Sequence, residues 1–304
     1  MTLLAGDLTT PQRVATWMAN APTLPSPILS QLVGSMTALV YGKLNRARIY
    51  SQTFTRIADG VGTAQLVLPD YPVTSVVTLQ QGAALIPPAA LPSPTTGYAA
   101  GVSPGYGYRL IPWGGNLPGE PSVIELVNSF FCTAPQNIKV TYVAGYLISS
   151  EAQTVPASPG PYTITVNQPQ GIWCRDNGVV YAATGVALRP VTTLTGAGQY
   201  IVGPDSTPGF YTFDAADAGA ALLMSYSFIP ADLEEAVIQM VAERYSYRTR
   251  VGDISKSLGG QETMRFFRGN SGRPWSGMAS LPPEVMDLIW PYVAVTPPLI
   301  GAPV

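Results

Sequence analysis

Histidine is absent from all 304 residues, and that absence limits what the remaining reactive side chains can do. Without an imidazole there is no Ser-His-Asp or Cys-His activation of a nucleophile, no histidine-ligated metal and no ordinary proton shuttle near neutral pH. What remains are two cysteines, two carboxylate pairs, three glycine-rich stretches and one basic run. Cys132 and Cys174 lie far apart and in different segments. That excludes a disulfide framework and reads as two free, buried, small hydrophobes in a reducing compartment. Asp214 and Asp217, in Phe213-Asp-Ala-Ala-Asp-Ala-Gly219, are too sparse for a calcium loop with ligands alternating over about twelve positions, and read as turn formers. Glu234 and Glu235 fall in the first turn of a predicted helix, where negative charge complements the dipole. Gly60-Val-Gly62, Gly101 to Gly107 and Leu258-Gly259-Gly260 lack the Lys-Ser/Thr ending of a phosphate loop and the βαβ setting of a dinucleotide site, and read as turns or loops. The sequence therefore predicts a non-enzymatic chain with no catalytic, cofactor-binding or metal-binding residues.

The basic run is more informative. Seven of the sixteen Lys and Arg residues fall in one stretch: Arg244, Arg248, Arg250, Lys256, Arg265, Arg268 and Arg273. Only Asp253 and Glu262 oppose them, a local net of +5. Residues 151–235 are the reverse, with Glu151, Asp176, Asp205, Asp214, Asp217, Asp232, Glu234 and Glu235 against Arg175 and Arg189. Such polarity suits a surface that follows a phosphate backbone or docks on an acidic protein; a solvated helix end and loop is the plain alternative. No nucleic-acid-reading motif accompanies it, so any contact with double-stranded DNA would be non-specific.

The rest of the chain is notable for its lack of charge. Hydrophobic residues make up 46% and charged residues 11%, with a net charge of −2; typical soluble domains carry roughly 25% charge. Large weakly polar surfaces invite association, so much of this surface is expected to be covered by copies of the chain or by partners. A secreted β-rich protein is the competing composition. The start, Met1-Thr-Leu-Leu-Ala-Gly-Asp7, lacks the basic and apolar regions of a signal peptide. No stretch reaches the roughly 18 apolar residues of a membrane span. The expectation is a soluble, cytoplasmic product with no membrane contact.

Several elements can be read locally. Thr10-Pro11 and Ser26-Pro27 each start a helix, the first with Val14, Trp17 and Met18 on one apolar face, the second running to about Leu44 with Ile28, Leu29, Leu32, Val33, Met36, Val40 and Leu44 on its apolar stripe. Its other face, Ser30, Gln31, Ser35, Thr37 and Tyr41, is too poor in charge for a solvated helix and predicts cover by another helix or subunit. Alternation then predicts strands at 49–57, 64–68, 74–79, 83–86, 122–132 and 138–142. Between them, residues 87–121 form a Pro/Gly-rich loop. After a connection at 150–161, short strands at 162–166, 179–183, 186–190, 198–202, 210–213 and 221–228 suggest a sandwich or barrel. Pro230, Asp232 and Glu235 open a helix with a capping-box arrangement, its stripe Leu233, Ala236, Val237, Met240, Val241 and Tyr245. A Gly/Ser/Arg loop, a short helix from Pro282 to about Trp290 and an extended Pro-rich tail end the chain.

These fragments, in this order, resemble the head-to-tail connector, or adaptor, family of tailed double-stranded DNA phages. Leu8-Thr-Thr-Pro-Gln-Arg-Val-Ala-Thr-Trp-Met18, Ile28-Leu-Ser-Gln-Leu-Val33 and Tyr41-Gly-Lys-Leu44 are similar to its opening helix pair. Leu66-Val-Leu-Pro-Asp-Tyr-Pro-Val-Thr-Ser-Val76 with Gln81-Gly82 resembles its central β segment. Ile138-Lys-Val-Thr-Tyr-Val-Ala-Gly-Tyr146 resembles the strand before its long helix. Pro230-Ala-Asp-Leu-Glu-Glu-Ala236, Glu243-Arg-Tyr-Ser-Tyr-Arg248, Arg250-Val-Gly252 and Ser255-Lys-Ser-Leu-Gly-Gly260 resemble that helix and its sequel. In the family the strand soon leads into the helix, whereas here about 80 residues intervene, as a β domain inserted at a loop would.

The resemblance implies an α+β fold: a helical bundle with a small antiparallel β-sheet, plus an inserted all-β domain, sandwich- or barrel-like. Residues 1–149 and 229–292 form the adaptor domain, 150–228 the insertion and 293–304 an extended tail. It implies a homo-oligomeric ring, generally a dodecamer, in the virion neck, joining the portal protein to a tail or neck protein and continuing the DNA channel used in genome packaging. The basic residues from Arg244 to Arg273 would face portal or channel, and the tail, with Tyr292, Pro297, Pro298, Leu299 and Ile300, would dock on a neighbour. A minor capsid or tail-tip protein, or an extracellular glycan-binding protein, are the alternatives.

Overall fold

The computed structural model describes residues 6–18, 26–46, 48–89, 105–112, 122–168, 170–204, 207–247, 255–258, 262–265 and 283–293. Its helices begin where side-chain oxygens meet the first free amides. Thr10 accepts from the Arg13 amide at 3.2 Å to start α1 (Pro11–Trp17), and Ser26 accepts from Leu29 to start α2 (Pro27–Leu44). Proline follows each cap, where a missing donor costs nothing. Asn45, at φ 52, ends α2 in the left-handed conformation that asparagine tolerates. α3 (Ala231–Tyr247) and α4 (Pro283–Ile289) complete the helical set.

Strands dominate the remainder. β1 (Gln52–Gly60), β2 (Gln65–Val67), β3 (Val73–Gln81), β4 (Ala84–Leu85), β5 (Gly107–Pro112), β6 (Ser122–Val127) and β7 (Ala134–Ala144) make two antiparallel sheets, ordered β1-β7-β3-β4 and β2-β6-β5. Leu79, Ile124, Leu126, Ile138, Val140 and Tyr142 are buried together in the core these strands build. β8 (Leu147–Thr154), β9 (Thr163–Thr165), β10 (Gly171–Tyr181), β11 (Arg189–Pro190), β12 (Gln199–Val202), β13 (Phe210–Phe213) and β14 (Ala221–Pro230) form sheets β10-β14-β8 and β11-β12-β13-β9. Their core holds Trp173, Tyr200, Tyr211, Phe213, Met224 and Tyr226. β15 (Ser255–Leu258) and β16 (Glu262–Arg265) form a hairpin. The helices build a third core, Val33, Val40, Leu233, Val237 and Ile289 among them, which also takes in Tyr146, Ile172, Phe228 and Ile229.

This corrects the expected bundle with a small sheet. Strand makes up 42% of the described residues and helix 25%, and the helices pack against strands as well as one another. The strands that were missed explain the error. Residues 150–154 read as the start of the 150–161 connection, yet they are the second half of β8, an edge strand held extended by pairing with β14 from Leu147↔Ser227 to Thr154↔Ala221. The first half of β10 and the β15–β16 hairpin were likewise read as loop. Gly107–Pro112 lies inside the predicted 87–121 loop but pairs with β6 as β5. Conversely, the strand expected to run to Cys132 stops at Val127, because Asn128 turns the chain at φ 55.

Two glycines test this geometry in opposite directions. Gly145 has φ 124, and a Cβ there would sit 2.4 Å from the Tyr50 carbonyl oxygen. Gly34, inside α2, has nothing within 4 Å of such a Cβ. Gly145→Ala is expected to cost about 3 kcal/mol, and Gly34→Ala to stabilise by about 0.5–1 kcal/mol, both read from urea unfolding midpoints.

Candidate interaction surface

Several acidic side chains, most of them half-buried, are hydrogen-bonded within the fold. Tyr142 donates its hydroxyl to Asp70 at 2.7 Å, and Asp70 also takes both Arg56 nitrogens at 2.9 and 3.0 Å. Tyr200 and Tyr211 donate to the two oxygens of Asp176 at 2.6 and 3.0 Å, while Trp173 donates its indole N–H to Tyr211 at 3.0 Å. Tyr226 donates to Glu151, and Tyr292 to Asp232 at 3.0 Å. Asp217, predicted as a turn former, is buried and accepts from the Tyr181 hydroxyl and the Gly198 amide. Asp214 does cap a turn, accepting from Ala216 at 2.9 Å. The hydroxyls of Tyr142, Tyr181, Tyr200, Tyr211, Tyr226 and Tyr292 thus each meet a carboxylate, the stronger kind of hydrogen bond. The sixteen tyrosines hinted at such pairs, but their partners are distant in sequence and could not be matched.

Glu234 lies in the first turn of α3, where its charge complements the dipole. It is also buried at 5% exposure, accepting from the Thr9 hydroxyl at 3.1 Å and ion-paired with Arg13. Glu235 is exposed and accepts from Gln239 at 3.1 Å. The cysteines, expected buried, differ: Cys132 is exposed, while Cys174 is half-buried, its thiol pKa pushed up to about 12 by burial. Among the described residues no group of three or more Cys, Asp or Glu side chains is arranged to hold a metal ion, and no helix is long and apolar enough to cross a membrane. A shallow apolar hollow lined by Tyr181, Ala183, Thr184, Val186, Ala220 and Ala221 offers one titratable group, the hydroxyl already given to Asp217.

The basic run is only partly described. Arg244 lies half-buried in the last turn of α3. Lys256 and Arg265 occupy neighbouring rungs of the β15–β16 hairpin, paired with Met264 and Ser255. Arg248, Arg250, Arg268 and Arg273 lie outside the described residues, as do Pro297, Pro298, Leu299 and Ile300 of the tail. Tyr292, assigned to that docking tail, is buried at 3% exposure with its ring edge-on to Tyr146, so it belongs to the chain's own core.

The surface that stands out is the outer face of the β1-β7-β3 sheet. Registers align three rows across three strands: Thr53, Val143, Ser75; Thr55, Thr141, Thr78; and Ile57, Lys139, Gln80. All nine are exposed or half-exposed, and Lys139 is the single charge among them. Thr55 and Thr141 share a hydroxyl hydrogen bond at 3.1 Å. Ile57 at 62% and Val77 at 57% exposure add large apolar groups. A solvated antiparallel face ordinarily carries charges of both signs at such positions; this one presents methyls and hydroxyls. The part of the α2 polar face expected to be covered is covered at Thr37, which is buried and accepts from the Leu8 amide at 3.2 Å. Neither a protein-family model nor a curated protein sequence matches the chain.

The tyrosine pairs predict an alkaline transition. Burial, then the hydrogen bond to Asp217, raises the Tyr181 pKa from 10.0 to about 12. Burial first and carboxylate acceptors second raise Tyr142, Tyr200, Tyr226 and Tyr292 as well. The folded state thus binds these protons more tightly than the unfolded state. The stabilisation is complete below about pH 10 and falls as pH rises through about 12. Denaturant midpoints should be flat from pH 7 to 9 and drop steeply above 10, and Tyr181→Phe should blunt the drop.

Proposed function

We propose that this chain is a structural subunit of a tailed-phage virion, a head-to-tail adaptor whose copies form a ring joining portal to tail and continuing the DNA channel. The observation that carries the reading is the nearly uncharged three-strand outer face, a surface suited to being covered by protein. A heterologous contact of this kind, repeated around a closing rotation, produces a ring.

Two further features support it. The carboxylates a hydrolase would need are committed to tyrosines and arginines, which suits a scaffold. Leu147 and Ser227, at the two ends of the stretch that separates the family-like strand from the family-like helix, pair directly, and the Phe228 amide donates to the Tyr146 carbonyl at 3.3 Å. A β unit rooted at adjacent positions can be accommodated without displacing what precedes and follows it.

Thr55→Glu with Thr78→Glu places two charges on the face at a folding cost of about 1 kcal/mol or less. Ring assembly, followed by mass in solution and by images of the particle neck, should be lost while the unfolding midpoint barely moves; intact rings would remove the face from the interface. The basic stretch is assigned to the portal or the DNA channel. Replacing Arg265, Arg268 and Arg273 together by Ala should reduce head attachment or DNA retention, and unchanged values of both would remove that assignment.

A further inference from the structure

The N-terminal segment is a self-contained plug. Leu8 and Thr9 are fully buried, as is Val14 on α1, and Thr10 caps the helix from within the same segment. It enters the helical core through two polar latches. The Leu8 amide donates to Thr37 of α2. The Thr9 hydroxyl and the Arg13 guanidinium, whose Nη2 lies 2.8 Å from Oε2, hold the Glu234 carboxylate of α3. Among the described residues, every hydrogen bond to that buried carboxylate comes from this segment. An empty socket would leave an uncompensated charge in a largely apolar core, which is strongly unfavourable. Each copy must therefore have its socket filled by an arm.

In the described chain the arm fills its own socket, and the arm of another copy would make the same contacts. Residues 19–25 connect arm to α2, with Pro22 and Pro25 among them. Seven residues span up to about 25 Å when extended, and exchange requires the adjoining socket to lie within that reach. Large apolar side chains sit at both ends of this connection: Trp17 is 55% exposed and Ile28 48% exposed. With the arm folded back on its own chain, these groups face water; a neighbouring copy at the same place would cover them. Exchange keeps every buried contact of the socket and adds that cover. Passed from each copy to the next, the arms leave no socket empty once the circle closes.

We propose that the arm, residues 6–18, is exchanged between copies, so that Arg13 of one subunit neutralises Glu234 of the next. This deepens the oligomeric part of the preceding reading and is independent of a phage origin. The test is complementation by charge reversal. Arg13→Glu alone and Glu234→Lys alone each place like charges in the socket, and each should lower oligomer yield at least tenfold. In an equimolar mixture, alternating copies match every arm to a socket of opposite charge, so exchange predicts recovery of the oligomer. A mixture that behaves as the average of its two components overturns the exchange. Should neither variant fold, Arg13→Lys protein prepared in light and heavy nitrogen, mixed by refolding and coupled with a carbodiimide, decides the same point. About half of the peptides joining positions 13 and 234 should then be isotopic hybrids. Rings that yield only isotopically pure pairs refute exchange and leave the ring intact; a chain that stays single at high concentration refutes both.

Discussion

The ends of two sheets and the helical core are joined around Tyr146. Its carbonyl accepts from Phe228, joining the end of β7 to the end of β14. Its ring lies edge-on to both Phe228 and Tyr292, at centroid distances of 5.7 and 5.9 Å. One strand further on, the Ser51 amide donates to Ser227. Nearby, the buried Arg46 guanidinium stacks 3.6 Å above the Tyr71 ring and donates to the Tyr71 carbonyl at 2.6 Å, while the Tyr71 hydroxyl reaches the Val293 carbonyl at 2.9 Å. Aromatic rings suit such a junction because they bring large apolar area and, in tyrosine, a polar tip that can be satisfied by a partner from another core.

The same economy runs through the rest of the fold. Charged groups are scarce, and the structure spends several of them on internal bonds: Asp70, Asp176, Glu151, Asp217 and Asp232 on tyrosines, Glu234 on Arg13. What is left for the β1-β7-β3 face is largely threonine, serine, valine and glutamine. The consequence is a set of tyrosine–carboxylate pairs within the fold and, on the β1-β7-β3 face, three aligned rows in which Lys139 is the single charge. Specificity inside and adhesion outside thus follow from one allocation of the same few charges.

The β8–β14 pairing links architecture to the proposed role. The intervening β unit is not merely tethered: its strand β10 sends Ile172 into the helical core, and Gly171 approaches the Ile229 carbonyl so closely that a Cβ would lie 2.0 Å from it. The unit and the helices therefore share a three-stranded sheet as a common wall. A β unit rooted this way would hold a defined orientation in an assembly.

Local signals in the sequence set the helix starts at Thr10-Pro11 and Ser26-Pro27, the apolar stripes of α2 and α3, most central strands and the absence of histidine chemistry, because caps, periodicity and residue inventory depend only on near neighbours. Tertiary structure decided the strand character of residues 150–154 and of Gly107–Pro112, where Ser, Glu, Ala and Gln in the first and the bounding Gly and Pro in the second mask the few β-preferring residues, and pairing with β14 and β6 sets the conformation. It also decided that Tyr292 is core, that Cys132 is exposed and that Glu234 is a buried latch. Each of these depends on a partner far away in the chain, for Glu234 at Thr9 and Arg13, and no local pattern encodes which distant group a polar side chain will meet once the backbone has closed around it.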